Sequence, residues 1–597
     1  MSQLPDVRSS TSPFCKDISS RAVISGSTRQ HGSSESMGER ISGNSGLTTE
    51  LCENTTSLRF IWYPLFCSAL CLRKLKMFVA DYTSSVTEQC PENRRQIGVI
   101  SASFLIFNRI MGTGIFATPS AILALTGSVG LSLMVWIMGM VIAMTGTAVY
   151  LEFGTTIPRN GGEKNYLEYV YTKPKFLVTA MFASYALFLG WAAGNSVAFG
   201  EYVLHAADIE VNRWNQRGIG FACITLAFLI HATAVKWGLR LQNILGALKF
   251  LVILIIVVGG AVALGGHLNM EKPDNFSRPF EGSIPSVYGI VTALYSVIWS
   301  YVGYSNANYS LSETRNPART LKIAAPIGVG LASVLYMLVN VAYFAVVPKQ
   351  EIVGSGRILA ASFFRNVFGP KAERVLSIFI ALCAFGNVQS VIFSQGRIIQ
   401  ELGREGVLPF SRFWASNRPF NSPAAGLFEH YLISAVVMLA PPPGDAYNFL
   451  LNLISYPLSV VNIFVSAGLL HIYMFPKSYP DWSPTVRASR LVTIFFLLSN
   501  VFLAVAPYLP PPDKEHNVYV HLPYYIHCVV GLGIFVVGAI YWLFWAAIFP
   551  WVRKYRLVQQ TVIAPDGWSR QIITRVPIGM EEKGKAGLDG GRSGWDG

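Results

Sequence analysis

The sequence predicts an all-α integral membrane protein of twelve transmembrane helices. Three observations carry this prediction. Of its 597 residues, 52% are hydrophobic and only 13% are charged, about half the charged fraction of an ordinary soluble domain. The mean hydropathy is positive, at +0.41. From Ile97 onward the chain resolves into long apolar runs separated by short polar gaps. Each run is long enough, or nearly so, to cross about 30 Å of hydrocarbon at about 1.5 Å per residue.

The runs fall at 97–124, 127–152, 176–205, 218–235, 241–265, 286–311, 323–347, 374–400, 424–440, 448–473, 488–507 and 526–549, the ninth being the least secure. They define a transporter-sized domain over 95–550, flanked by tails at 1–94 and 551–597. Residues 1–57 are rich in Ser, Gly, Thr and Arg without apolar periodicity, which predicts a disordered tail. The apolar stretch 60–72 is too short to span a bilayer and lies too deep for a signal peptide. It reads as a weakly structured tail, as an interfacial segment, or as upstream text if the true start is Met77.

The net charge of +14 raises nucleic-acid binding, but most basic residues stand singly between apolar runs. That placement is what the positive-inside rule produces. With the amino terminus in the cytoplasm, the inner loops carry fifteen Lys and Arg and the outer loops ten, so both termini are expected inside. The outer loop 348–373 is an exception with five basic residues, and it looks partly helical. Asn275-Phe276-Ser277, in the outer loop after span five, is a glycosylation sequon, whereas Asn54-Thr55-Thr56 on the inner side should stay bare. The eight cysteines make no paired CxxC pattern, so neither zinc nor a structural disulfide is expected.

Two spans carry polar interruptions. The first reads Asn108-Arg109-Ile110-Met111-Gly112-Thr113-Gly114-Ile115-Phe116, then Pro119. Two glycines around a threonine weaken a helix in mid-membrane. Freed amides cannot face lipid, but where they line a cavity they offer donors to an anion, aided by the helix that restarts. The competing reading is small-residue packing, yet glycines two apart do not share a helix face. The sixth span contains Trp299-Ser300-Tyr301-Val302-Gly303-Tyr304-Ser305-Asn306, where a break would free carbonyls for an ammonium group. Amides in one span and carbonyls in another match a zwitterion. Interrupted segments at corresponding positions of two five-helix halves mark the binding site of inverted-repeat transporters.

Lys249 lies about 10 Å inside the fifth span, where a charge is functional, paired or snorkelling. Asn387, Gln389, Ser390 and Arg397 of the eighth span are set to face a cavity or bond between helices. His231 in the fourth reads as a packing residue. No GxxxxGK[ST], HExxH or nucleophile elbow occurs, which argues against an ATP-driven pump and an enzyme.

The blocks NRIMGTGIFATPS, PRNGGEKNYLEYVY at 158–171, WSYVGYSNANYSLSETRNPART at 299–320 and GREGVLP at 403–409 are similar to the amino acid–polyamine–organocation superfamily. Within its L-type amino acid transporter branch they most resemble the fungal high-affinity methionine permeases, over about 95–550. The resemblance implies a leucine-transporter fold, with spans 1–5 and 6–10 as inverted repeats and 11 and 12 peripheral. It places the substrate carboxylate at Thr113 and Gly114 beside Met111 and Gly112, and the ammonium at carbonyls near Ile110, Trp299 and Val302. Ser300, Gly303 and Gln389 complete the expected binding set, Trp299 is the expected aromatic lid, and Lys249, Trp299 and Asn387 are expected to couple and gate. The family often has two glycines in the sixth-span break; here the first is Val302. Lys249 matches a lysine that fills a sodium site of sodium-coupled relatives, which implies sodium independence and a proton as partner. Animal relatives join a heavy chain through a cysteine that the loop 206–217 lacks, so no such subunit is expected. The lysines at 16, 74, 76, 554, 583 and 585 are expected targets of a ubiquitin-ligase adaptor.

The sequence therefore predicts proton-coupled import of a neutral amino acid, methionine first, across a plasma membrane, without cofactor or metal. Broader neutral or cationic cargo on the same fold, a channel and a non-transporting amino acid receptor are the alternatives.

Overall fold

The computed structural model describes residues 97–267, 273–442, 444–511, 517–563 and 569–578. The expectations for 1–94, the Met77 start and every tail lysine except Lys554 fall outside these residues.

The described chain is a bundle of helices, because a backbone in lipid must satisfy its polar groups within its own segment. Among the described residues, nine helices or helix pairs are long and apolar enough to cross a membrane: Val99–Ala117, Val129–Thr156, Leu177–Ala206, Val235–Leu264, Pro317–Val346, Pro370–Arg404, Ala446–Met474, Arg490–Tyr508 and Ile526–Val552. The other three predicted runs are helices that fall short of those limits. The fourth, Arg213–Thr233, carries Arg213, Asn215, Gln216 and Arg217 in its first turns. The sixth, Val287–Tyr301, is shortened by its break. The ninth, Ala424–Leu439, has 16 residues.

Caps fix several of these ends. Ser128 Oγ accepts the Leu131 amide at 3.3 Å, and Asn212 and Asn215 form a reciprocal capping box before the fourth helix. Short helices Lys349–Gly354 and Leu359–Phe368 fill the loop expected to be partly helical. Glu163–Val170 forms a helix in the loop after the second span.

The carboxyl-terminal segment departs from expectation. Tyr555–Ile563 (β1) and Ser569–Pro577 (β2) pair antiparallel, with Tyr555 opposite Pro577. The Ile573 amide donates to the Glu405 carbonyl at 2.8 Å, so the hairpin sits against the end of the eighth helix. Lys554 is exposed in the turn before β1.

The Asn275 sequon is occupied by the fold itself. The side chain is buried, and its Nδ2 donates to the carbonyls of Phe344 and Val347, each at 2.8 Å. A glycan on that nitrogen would replace one of the two donating hydrogens and would need room that the buried side chain lacks. Cys223, Cys383 and Cys528 are buried free thiols.

Candidate functional site

Both interrupted spans are broken where the sequence places the breaks. The first helix stops at Ile110 and restarts at Gly114. Met111 donates to Phe107 and Gly112 to Ile110, but among the described residues the amides of Thr113, Gly114 and Ile115 find no backbone acceptor. The sixth helix stops at Tyr301. Val302 adopts φ −55° and ψ 120°, open to any residue, and the turn is made by Gly303 at φ 121°. One glycine therefore suffices where the resembled family often has two.

The two breaks face each other at close range. A Cβ on Gly114 would lie 2.3 Å from Ser300 Oγ and 2.8 Å from Ser300 Cα. A Cβ on Gly303 would lie 2.3 Å from Arg109 Cγ. Glycine at 114 and 303 is thus a condition of the contact, beyond its effect on helix propensity.

Three side chains that sequence reasoning missed tie the breaks to their surroundings. Tyr336 of the seventh span shares its hydroxyl between the carbonyls of Ile110 at 2.7 Å and Ser300 at 2.8 Å. Since Gly112 also donates to Ile110 at 2.7 Å, both lone pairs of that carbonyl are engaged here. Asn195, just after a break in the third span between Phe188 and Ala193, accepts from Thr113 Oγ1 at 2.6 Å and donates to Asn387 Oδ1 at 3.1 Å. Arg109 donates to the same Asn387 oxygen at 3.5 Å. Asn387 thereby joins the site, and a Cβ on Gly112 would lie 2.9 Å from its Nδ2.

The remaining expected residues divide. Trp299 is buried, its ring beside Gly194, where a Cβ would meet it at 3.3 Å. Lys249 is buried, and its Nζ donates to the Asn108 carbonyl at 3.4 Å, linking the fifth span to the first half of the broken helix. Met111 is fully buried. Gln389 does not join the breaks. It sits two residues beyond Asn387, and among the described residues neither of its buried amide atoms has a hydrogen-bond partner. His231 is fully buried and packs on the Phe393 ring at 5.1 Å, a packing role.

One end of the bundle is open. A cavity of about 840 Å³ is lined by Asn108, Lys164, Gln242, Ser390, Arg397 and Glu405, among others. It lies at the end carrying Ile97, the Glu163–Val170 helix and the β-hairpin. Of the two roles open to Ser390 and Arg397, facing a cavity or bonding between helices, both residues line this cavity. The opposite end is closed. Arg357 Nε meets Glu201 Oε2 at 2.5 Å and its guanidinium lies over the Tyr447 ring at 5.4 Å. Arg365 pairs with Glu373 at 2.8 Å, and Ser120 donates to the Ile352 carbonyl at 2.6 Å. Glu429, in the ninth span, was overlooked as an intramembrane acid. It lines neither this cavity nor the smaller one beside Arg109, and among the described residues its Oε2 has no hydrogen-bond partner.

A helical membrane bundle with two facing breaks, a vestibule at one end and an ion-paired closure at the other defines a transporter, not an enzyme. The chain belongs to the amino acid permease family, whose family model matches residues 97–535. It is 53% identical over 488 residues to the high-affinity methionine permease of Saccharomyces cerevisiae, a match covering 81% of this chain and 85% of that protein. The low-affinity methionine permease of the same yeast is 31% identical over 481 residues, or 79% of this chain and 86% of the relative. The human b(0,+)-type amino acid transporter 1 is 28% identical over 484 residues, or 79% and 92%.

Proposed function

We propose that this permease imports methionine by proton-coupled alternating access, through twelve spans arranged as two inverted five-helix repeats and a peripheral pair. The observation that carries the reading is the apposition of the two breaks. Amides of Thr113, Gly114 and Ile115 that find no backbone acceptor among the described residues stand opposite the end of the sixth helix, where the Val302 carbonyl is freed and the Trp299 carbonyl accepts only the Val302 amide, at 3.2 Å. That pairing suits a carboxylate and an ammonium on one α-carbon. Trp299 is the lid, Met111, Gly112 and Ser300 shape the pocket, and Asn387 gates through Asn195 and Thr113. The methionine assignment rests on the likeness to both yeast permeases.

With both termini in the cytoplasm of a cell whose plasma membrane holds the protein, the 840 Å³ vestibule faces inward and the Arg357–Glu201 closure faces outward. In that reading Lys249 stands where a metal would otherwise bridge spans, which favours a proton over sodium. Expression in yeast lacking its methionine permeases should restore labelled-methionine uptake that an uncoupler abolishes. No uptake would overturn the substrate, and uncoupler-insensitive uptake would overturn the proton. Competition by leucine, phenylalanine and lysine tests the cargo. Of the acids lining the two cavities, Glu401 and Glu405 lie in the vestibule, and Glu163, which shares the small cavity with Val302 and Gly303, is engaged by Tyr309 and Ser305, which disfavours a cationic cargo.

A further inference from the structure

Glu163 begins the helix of the loop after the second span, yet it is 2% exposed. Its position is set by the preceding glycines. Gly161 and Gly162 take φ 117° and 52°, which returns the chain under the bundle. A Cβ on Gly162 would lie 2.9 Å from the Tyr309 ring, so that turn also brings Tyr309 within reach. Glu163 Oε2 accepts from the Tyr309 hydroxyl at 2.5 Å, and Oε1 accepts from Ser305 Oγ at 3.4 Å. Ser305 and Tyr309 both lie in the irregular segment that follows the sixth-span break.

On its other side Glu163 faces a cavity of about 50 Å³ that Arg109, Val302 and Gly303 also line. That is room for a water or two. Arg109 and Glu163 both line this cavity, and no ion pair joins them among the described residues. Phe182, Asn306, Tyr309, Ser394 and Ile398 line both this cavity and the large vestibule, so a single layer of side chains divides them. The other titratable groups around Glu163 are Tyr150 of the second span, Tyr166 of its own helix, Tyr185 of the third and Tyr304 after the sixth. Lys164 points away, to Glu405 at 2.5 Å and Glu168 at 3.4 Å.

We propose that Glu163 is the group that carries the coupled proton, released to the vestibule in this state. The proposal rests on the proton-coupled reading above. In the step, the O–H bond of the carboxylic acid breaks and its proton passes to water in the small cavity, and from there across the dividing layer to the vestibule. The carboxylate that remains gains the Tyr309 and Ser305 donors and the attraction of Arg109. Proton loss thereby grips the segment after the sixth-span break, coupling charge to the position of the substrate-binding break. Burial raises the carboxyl above the usual carboxylate range and so favours the acid form, against the opposing effect of the Tyr309 hydroxyl. Lys249 lines neither cavity and is spent on the Asn108 carbonyl, which suits a tether.

The test uses the purified full chain in liposomes holding a pH-sensitive dye. Glu163→Gln should keep methionine counterflow without a gradient, and should lose at least tenfold of pH-driven accumulation and of methionine-evoked proton flux. Normal proton flux in that variant overturns the role of Glu163. Absent proton flux in the wild-type protein overturns the proton-coupled reading itself. Should the Gln variant lose counterflow as well, Tyr309→Phe decides. Removing the donor to the carboxylate raises its pKa, so the midpoint of accumulation against inside pH should move upward. An unmoved midpoint overturns the proposal.

Discussion

Gly114 and Ser300 meet so closely that a Cβ on the glycine would fall 2.7 Å from Ser300 Cβ and 2.8 Å from Ser300 Cα. The contact holds the restart of the first helix against the end of the sixth, where the substrate is proposed to bind. Real Cβ atoms do not come this near to backbone, so Gly114→Ala must push the breaks apart. Overpacking of this kind costs about 1–3 kcal/mol. We expect the variant to reach the membrane but to lose methionine uptake tenfold or more. Wild-type uptake at equal surface expression would show that the breaks tolerate separation.

Tyr336 fastens the same two segments from the seventh span. Its hydroxyl serves the Ile110 and Ser300 carbonyls, while Ile110 keeps a second donor in Gly112. Tyr336→Phe keeps the ring contacts with Trp136 and Tyr301 at 5.5 and 5.2 Å. It leaves the Ser300 carbonyl without that donor, a loss of about 1–3 kcal/mol for a buried polar group. The expected result is a lowered melting temperature in detergent with reduced uptake. Unchanged stability would mean that water replaces the hydroxyl.

The apolar spans and both principal breaks were legible in the sequence because each is a local property, a run of hydrophobic residues or a cluster of Gly and polar residues within one span. What failed was long-range pairing. Tyr336 acts on residues 226 and 36 positions away, and Asn195 on Asn387, 192 away. The third-span break was signalled by Gly190-Trp191-Ala192-Ala193-Gly194-Asn195, a small and polar insert like those in spans one and six. Two residues along a helix turn a side chain by about 200°, so Gln389 points away from the direction in which Asn387 meets Asn195 and Arg109. The hairpin had its own mark, Pro565-Asp566-Gly567 between two stretches rich in β-branched residues.

The buried state of Asn275 gives a simple biochemical expectation. Both hydrogens of Nδ2 are held by carbonyls at the end of the seventh helix. Endoglycosidase treatment of the mature protein should leave its gel mobility unchanged, and a shift abolished by Asn275→Gln would contradict the geometry. Asn275→Ala should lower stability by about 1 kcal/mol for each lost bond, read as a fall in melting temperature.

The closed end turns on Glu201 and Arg357. The carboxylate also accepts from Gln216 Nε2 at 3.0 Å, and the guanidinium covers Tyr447, so four residues from separate segments meet there. The two charged side chains keep 13% and 25% of their exposure, so the pair is partly screened and contributes about 1 kcal/mol. Glu201→Gln weakens the closure while sparing the breaks. A bias of about 1 kcal/mol shifts a two-state population about fivefold. A cysteine placed at Ala193, buried in the third span one residue before Gly194, where a Cβ would meet the Trp299 ring, should then react about fivefold faster with an impermeant maleimide added outside. Equal rates in both backgrounds would show that the pair does not hold the outer end shut.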